Sequence, residues 1–147
     1  MWRRTLPRCG TRGYTVKAVI MGSGRVASEL ATLPDQEGHE VTLIDLELSM
    51  FRNLPPDFKG KTIAGDATDE VVLRKAGLAE ADAFIALTRD DDRNAMAAQI
   101  AKHIFGVRKV ICRIYDPLRE EFYKTLGLEA ISPIMVFARL VKGRLEE

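Results

Sequence analysis

A short apolar segment that runs directly into a glycine-containing turn constrains this chain more than any other feature. Residues 16–21 are predicted to form a buried strand, and Gly22-Ser23-Gly24 follow before a helix predicted over residues 25–33. Gly22 can adopt the tight turn that such a junction requires, and Gly24 has no side chain to keep a ligand away. The pattern therefore predicts a turn whose backbone N–H groups, together with the helix N-terminus, can bind a phosphate group.

An acidic residue follows at the spacing that nucleotide-binding folds use. Asp45 ends the second predicted strand, residues 41–45, roughly 20 residues beyond the turn. Its carboxylate can accept hydrogen bonds from a ribose 2′-OH and would repel a 2′-phosphate, which favours NAD or an adenine nucleotide over NADP. Arg25, in the first turn of the helix, either binds a phosphate through charge-assisted hydrogen bonds or is a solvated helix residue.

Length and composition predict one soluble globular domain. The chain has 147 residues, enough to bury a sizeable core, and 46% of them are hydrophobic. No apolar run approaches the about 18 residues of a membrane span, so no membrane insertion is expected. The sequence has two cysteines, Cys9 and Cys112, which favours reduced thiols over a disulfide framework.

The charge of the chain is unevenly distributed. Residues 1–14 contain four arginines and no acidic residue, so the net charge of +1 leaves −3 for residues 15–147. We expect the basic N-terminal extension, residues 1–14, to be disordered and residues 15–147 to form one nucleotide-binding domain. Four arginines in a short tail ahead of a mildly acidic domain do not favour nucleic acid binding.

Predicted strands and helices alternate along the chain. The strands are expected at residues 16–21, 41–45, 61–65, 83–87, 109–114 and 129–131, and the helices at 25–33, 46–54, 69–76, 91–105, 117–127 and 133–144. Such alternation with short loops predicts an α/β fold with a parallel sheet and helices on both faces. With the glycine turn after the first strand, the expected architecture is a Rossmann-like doubly wound sheet of order 3-2-1-4-5-6.

Ligands of such sheets bind outside the carboxyl ends of the strands, where the strand order reverses. That edge is expected to gather Gly22 to Arg25, Asp45, Asp66 to Thr68, Leu87, Thr88 and Arg113. Asp66 and Thr68 can hold an adenosine or simply cap the helix that follows, and both roles are compatible. Arg113 either faces the phosphates or pairs with Asp116 at the surface.

Several motifs occur in a fixed order over residues 16–145. They are Gly22-Ser23-Gly24-Arg25-Val26, Gly38-His39-Glu40-Val41-Thr42 leading to Asp45, Gly65-Asp66-Ala67-Thr68, Asp82-Ala83 to Ala86-Leu87-Thr88, Asp90-Asp91-Asp92 with Asn94, and Arg113 with Asp116-Pro117. In this order they resemble the nucleotide-binding regulatory domain of potassium channels and transporters, called the TrkA-N, RCK or KTN domain. A set of ordered motifs is far more specific than one glycine turn.

The resemblance implies a function and a set of ligand-binding residues. It implies that NAD(H), or alternatively ATP/ADP, binds without being consumed, with Asp45 on the ribose and Arg25 near the phosphates. The residues so implied are Gly22, Ser23, Gly24, Arg25, Val26, Asp45, Leu46, Gly65, Asp66, Ala67, Thr68, Leu87, Thr88, Asn94 and Arg113. Ligand exchange would then shift paired domains and open or close a membrane partner for potassium, from a cytoplasmic position at the inner face of the membrane.

Two positions depart from the family pattern. The family commonly has Glu after the Ser-Pro pair that precedes the last helix, but this chain has Ile134, so a metal-assisted response to ATP is not expected. Ala27 replaces the third glycine of the turn motif, which the fold tolerates. The resemblance also covers only the first of two regulatory domains that many members carry.

The last predicted helix has a broad apolar face. Its members are Ile134, Val136, Phe137, Leu140 and Val141. A terminal helix of this kind either folds back on its own sheet or packs on another chain. By resemblance the second is expected, as a homodimer or a higher oligomer.

Two other classes of function are compatible with a nucleotide cradle. One is a fragment of an NAD-dependent oxidoreductase, and the other is a free-standing nucleotide or redox sensor that acts on another protein. Hydride transfer needs an acid or base beside the nicotinamide, but His39 and His103 are predicted far from the ligand edge. Tyr115 and Tyr123 lack a lysine four residues on. No catalytic residue and no metal site are therefore expected.

Overall fold

The computed structural model describes residues 15–36 and 38–147. Its strands are β1 (Lys17–Met21), β2 (Glu40–Asp45), β3 (Lys61–Ala64), β4 (Ala83–Ala86), β5 (Lys109–Arg113) and β6 (Glu129–Ile131). Its α-helices are α1 (Arg25–Gln36), α2 (Glu70–Lys75), α3 (Asp91–Gln99), α4 (Pro117–Thr125) and α5 (Pro133–Leu145). The predicted basic extension, residues 1–14 with Cys9, lies outside the described residues.

The described strands form one parallel sheet in the predicted order. Its six strands are arranged β3-β2-β1-β4-β5-β6, and every neighbouring pair is parallel. The doubly wound α/β prediction is therefore confirmed. The order reverses between β1 and its neighbours β2 and β4, which places the glycine turn after β1 at the switch point.

The sheet is covered on both faces because its central strands are apolar on both sides. In β1, Ala18 and Ile20 point to the face that α1 covers, where Ala27 and Ala31 are buried. Val19 and Met21 point to the opposite face, which packs against α2 and α3 through residues such as Leu73 and Ala98. The two small alanines on α1 let that helix lie close to the sheet, as predicted for Ala27.

Several predicted boundaries were wrong by a few residues. Helix α1 continues through Pro34, where it was predicted to end, to Gln36. The helix predicted over residues 46–54 is a 3-10 helix that spans residues 48–53. Helix α3 gives way at Ile100 to a π-helix over Ile100–Ile104, where Phe105 N donates to Ile100 O at 3.2 Å.

Helix α5 differs from the other α-helices because none of its residues is buried. Its apolar residues Ile134, Val136, Phe137, Leu140 and Val141 are all at least 41% exposed. Among the residues that the structure describes, no helix is long and apolar enough to cross a membrane. The thiol of Cys112 is free and buried in β5, and burial raises its pKa to about 11.

Among the described residues, Phe84 has the largest fully buried side chain, and it lies in β4, one of the two central strands of the sheet. We expect Phe84→Ala to lower the free energy of unfolding by about 3–5 kcal/mol, because it removes apolar contacts and leaves a cavity. Urea denaturation followed by circular dichroism measures this change. Phe122→Ala is the matched control, because Phe122 is 59% exposed on α4, and its cost should be about 1 kcal/mol or less. Equal losses in both variants would contradict the assignment of Phe84 to the core.

Candidate nucleotide-binding site

The turn after β1 requires glycine at its first position. Gly22 has a φ of +110°, and a Cβ there would lie 3.2 Å from the carbonyl carbon of Leu87. Its N–H donates to Ile44 O at 2.7 Å, which ties the turn to β2. Any other residue at position 22 would be strained by its backbone and crowded by the end of β4.

Gly24 faces open space rather than a protein neighbour. A Cβ at Gly24 would meet no heavy atom within 4 Å. Helix α1 begins at the next residue and has no acidic side chain in its first turn. The partial positive charge of its N-terminus is therefore not neutralised locally and points into a region that a phosphate can enter.

Asp45 holds the glycine turn in place. Its Oδ2 accepts hydrogen bonds from Ser23 N at 3.0 Å and from Ser23 Oγ at 2.9 Å, and Ser23 is fully buried. Its Oδ1 accepts from Glu47 N at 3.0 Å. Because a carboxylate has about four acceptor positions, roughly one remains for a ribose hydroxyl. The sequence predicted the ribose role alone and missed this positioning role.

These elements surround a cavity of about 590 Å³ at the carboxyl ends of the strands. Predicted site residues that line it are Gly22, Ser23, Gly24, Arg25, Val26, Asp45, Leu46, Gly65, Ala67, Leu87, Thr88 and Arg113. Asp66, Thr68 and Asn94 do not line it. Lining residues that the sequence missed include Glu47, Met50, Asn53, Arg89, Arg93 and Tyr115. Glu47 could have been included from the sequence, because it directly follows Leu46, a predicted site residue just after β2.

Asp66 accepts hydrogen bonds from both Thr68 and Arg93. Asp66 Oδ1 accepts from Thr68 N at 2.9 Å, from Thr68 Oγ1 at 2.6 Å and from Arg93 Nη2 at 2.7 Å. The Thr68 hydroxyl and backbone hydrogen bonds, and then Arg93, hold the pKa of Asp66 below its usual value. Asp69, not Thr68, caps α2, and its side chain accepts from Val71 N at 2.8 Å. The ion pair links the loop after β3 to helix α3.

The buried side chain of Asn94 links the ends of two strands through hydrogen bonds. Its Oδ1 accepts from Thr88 N at 3.0 Å and from Thr88 Oγ1 at 2.6 Å. Its Nδ2 donates to Thr88 O at 2.8 Å and to Arg113 O at 2.9 Å. These four bonds use the whole amide, which is fully buried. Asn94 thus holds residues that line the cavity in place and does not itself face a ligand.

Arg113 faces the cavity and does not pair with Asp116. Its Nη2 donates to Leu87 O, and its guanidinium lies 4.8 Å from the centroid of the Tyr115 ring. Asp116 instead caps α4 and lies 3.9 Å from Arg119. Burial lowers the pKa of Arg113 from its usual value. Its Nε is buried and has no hydrogen-bond partner among the described residues, so an anion in the cavity would supply an acceptor.

The three acids at the start of α3 have separate structural roles. The Asp90 side chain caps the helix, accepting from the N–H groups of residues 92 and 93. Asp91 accepts from Tyr115 N at 2.8 Å and from Asp116 N at 3.2 Å. Asp92 accepts from Arg119 at 2.9 Å and from Tyr123 at 2.8 Å, both in α4. The sequence predicted only their favourable interaction with the helix dipole.

The histidines lie away from this cavity, as predicted. The Nδ1 of His39 accepts from Val16 N at 3.2 Å near the amino end of β1, and His39 is buried. His103 lies in the π-helix that follows α3. Among the described residues, no group of three or more histidine, cysteine or acidic side chains is placed to hold a metal ion.

The hydrogen bonds of Asn94 predict a clear stability effect. We expect Asn94→Ala to lower the free energy of unfolding by about 3 kcal/mol, because it leaves buried groups of Thr88 and Arg113 unpaired. The control is Asn53→Ala, since the exposed Asn53 makes two longer bonds, to Ser23 O at 3.4 Å and Met50 O at 3.3 Å. Its cost should be about 1 kcal/mol or less in the same urea titration. If the Asn94→Ala variant were as stable as the control, the structural role assigned to the Asn94 hydrogen bonds would be wrong.

Comparison with known proteins gives a consistent family. The family model of the TrkA-N domain matches residues 18–133. The Trk system potassium uptake protein TrkA of Streptomyces coelicolor is 44% identical over 127 residues, which are 86% of this chain and 57% of that protein. A TrkA homolog of Pyrococcus abyssi is 39% identical over 106 residues, covering 72% of this chain and 47% of that protein. The chain spans about half the length of these curated relatives.

Solved structures share the fold. The GsuK RCK domain is 25% identical with a TM-score of 0.75, covering 93% of this chain and 29% of that chain. Other GsuK structures contain ADP, at a TM-score of 0.73 and 25% identity, or NAD, at 0.68 and 19%. They cover 89% and 83% of this chain, and 34% and 22% of their own chains. Because the TrkA-N model covers most of its length, this chain belongs to the TrkA-N domain family.

Proposed function

We propose that this chain is a non-catalytic regulatory domain that binds NAD(H) or ATP/ADP and controls a membrane potassium channel or transporter. The observation that carries the proposal is the unneutralised N-terminus of α1 above a glycine turn that Asp45 fixes through Ser23. Residues 15–147 constitute the nucleotide-binding domain in this proposal. The potassium assignment is supported by the relatives, which are Trk system potassium uptake proteins.

Different residues of the cavity bind different parts of the ligand. The glycine turn and Arg25 take the phosphates, and the free acceptor position of Asp45 takes the ribose. Gly65 and Ala67 present backbone and a small side chain at the end of β3, which leaves room for a flat base. Asp66, Thr68 and Asn94 act by positioning the surrounding loops, since their polar groups are already bonded within the protein.

The positioned loops connect the cavity to the outer helices. Tyr115 lines the cavity, and its N–H donates to Asp91 at the start of α3. Its carbonyl accepts from the hydroxyl of Ser132, which caps α5. A ligand that moves Tyr115 would therefore act on both helices. In this proposal the resulting shift changes how neighbouring domains pack and is transmitted to the membrane partner from a cytoplasmic position.

A calorimetric titration of nucleotides tests the binding proposal. We expect the wild-type chain to bind NAD, NADH, ADP or ATP at micromolar concentration, and to bind NADP about tenfold more weakly than NAD because Asp45 repels a 2′-phosphate. Asp45→Ala should weaken NAD binding at least about tenfold, since hydrogen bonds to a charged group are lost. Ser23→Ala is the control that removes only the hydroxyl bond to Asp45. Binding of no nucleotide below millimolar concentration would refute the proposal.

The exposed apolar face of α5 supports a homodimer or higher oligomer through this helix. Light scattering should give a mass of at least twice 16.4 kDa for the wild-type chain. Leu140→Asp should return the chain to a monomer, because Leu140 is 57% exposed on that face and a charge there opposes burial. The control is Arg139→Asp, which alters a neighbouring residue outside the apolar face. A wild-type monomer of 16.4 kDa would contradict the prediction.

A further inference from the structure

Two guanidinium groups line the same side of the cavity. Arg113 reaches the cavity from the end of β5, and Arg89 follows the end of β4. In the described part of the chain, neither forms an ion pair with a carboxylate. Arg93, another arginine of the lining, differs because its Nη2 lies 2.7 Å from Oδ1 of Asp66, which neutralises its charge.

The surroundings of Arg89 and Arg113 disfavour two neighbouring positive charges unless an anion lies between them. The Nε of Arg113 is buried without an acceptor, and its other contacts are the Leu87 carbonyl and the Tyr115 ring. The positive charge of Arg89 adds to burial in lowering the pKa of Arg113. Asp91 opposes this effect, but both of its carboxylate oxygens already accept backbone hydrogen bonds. An anion between the two guanidinium groups would relieve the repulsion and supply the missing acceptor.

The acidic and basic members of the cavity lining are unevenly placed. Asp45 and Glu47 lie at the end of β2, whereas Arg89 and Arg113 lie at the ends of β4 and β5 on the other side of the glycine turn. Asp90, the third acidic member, lies beside Arg89, but its side chain caps α3 by accepting from the N–H groups of residues 92 and 93. Hydroxyl groups of a ribose suit the first side, and phosphate oxygens suit the second. A ligand that spans the cavity would thus carry negative charge beyond the phosphate held by the turn.

We infer that Arg89 and Arg113 form a second anion subsite that holds the terminal phosphate of a nucleoside polyphosphate, so that this chain selects ADP or ATP over NAD⁺. The inference rests on the proposed nucleotide-binding function and narrows its ligand class. A dinucleotide in the same orientation would bring its second nucleoside to this side. The nicotinamide ring of NAD⁺ is cationic, and two unpaired guanidinium groups would repel it.

Calorimetric titrations with AMP, ADP, ATP and NAD⁺, at constant ionic strength in EDTA, test the subsite. We expect wild-type affinity to rise in the order AMP, ADP, ATP, with ATP binding at least about tenfold more tightly than NAD⁺. Arg113→Gln should weaken ATP binding about tenfold. Arg89→Gln should weaken it about threefold, because Arg89 is solvent-exposed. Both variants should change AMP binding less than about twofold.

Arg52→Gln is the matched control, because it removes the same charge from an exposed residue that does not line the cavity. Its ATP affinity should equal that of the wild-type chain. If circular dichroism shows that Arg113→Gln does not fold, the ATP affinity of Arg89→Gln alone tests the subsite. The Arg89 side chain is exposed, so this substitution should leave the fold intact. Equal weakening of AMP and ATP, or NAD⁺ binding as tight as ATP, would overturn the subsite while leaving the proposed function intact. If no nucleotide binds, both fail together.

Discussion

The rest of the site depends on one junction, where the turn at Gly22 passes between three strands. Gly22 N donates to Ile44 O in β2, and Leu87 N, just after β4, donates to Met21 O in β1 at 2.8 Å. The three strands β1, β2 and β4 therefore meet at this point. Only glycine fits here, because position 22 combines a φ of +110° with the carbonyl of Leu87. Asp45 then fixes the next residue through two hydrogen bonds, and α1 begins with its N-terminus open to the cavity.

Most acidic side chains around the cavity are used to position backbone. Asp45, Asp66, Asp90 and Asp91 each accept at least one backbone N–H, and Asp66 also holds Arg93. Carboxylates that accept such bonds are held in place, and they fix the geometry of the loops to which they are bonded. Arg25, Arg89 and Arg113 also line the cavity, and in the proposed function they select the charge of the ligand.

The sequence predicted the fold well because the relevant signals are local. Apolar runs at regular spacing located the strands, and the β-α alternation implied the strand order that the structure confirms. Residues at strand ends, such as Asp45 and Thr88, were expected at one edge and do lie around one cavity. The hydrogen bond from Asn94 to Arg113 and the Asp66 to Arg93 pair could not be predicted, because their partners lie 19 and 27 residues apart in sequence and meet only through the crossover geometry.

Tyr115 is the residue at which the site and the outer helices meet. Its ring contacts Arg113, its N–H is held by Asp91, and its carbonyl accepts from Ser132 at the start of α5. The bond from Ser132 is long, 3.4 Å, whereas that to Asp91 is 2.8 Å, so the tie to α5 is the weaker of the two. Because no residue of α5 is buried within the chain, little packing on its own domain opposes a change in its direction. A ligand that draws Arg113 from the Tyr115 ring would thus act first on the least constrained helix of the domain, which suits a regulatory role better than a catalytic one.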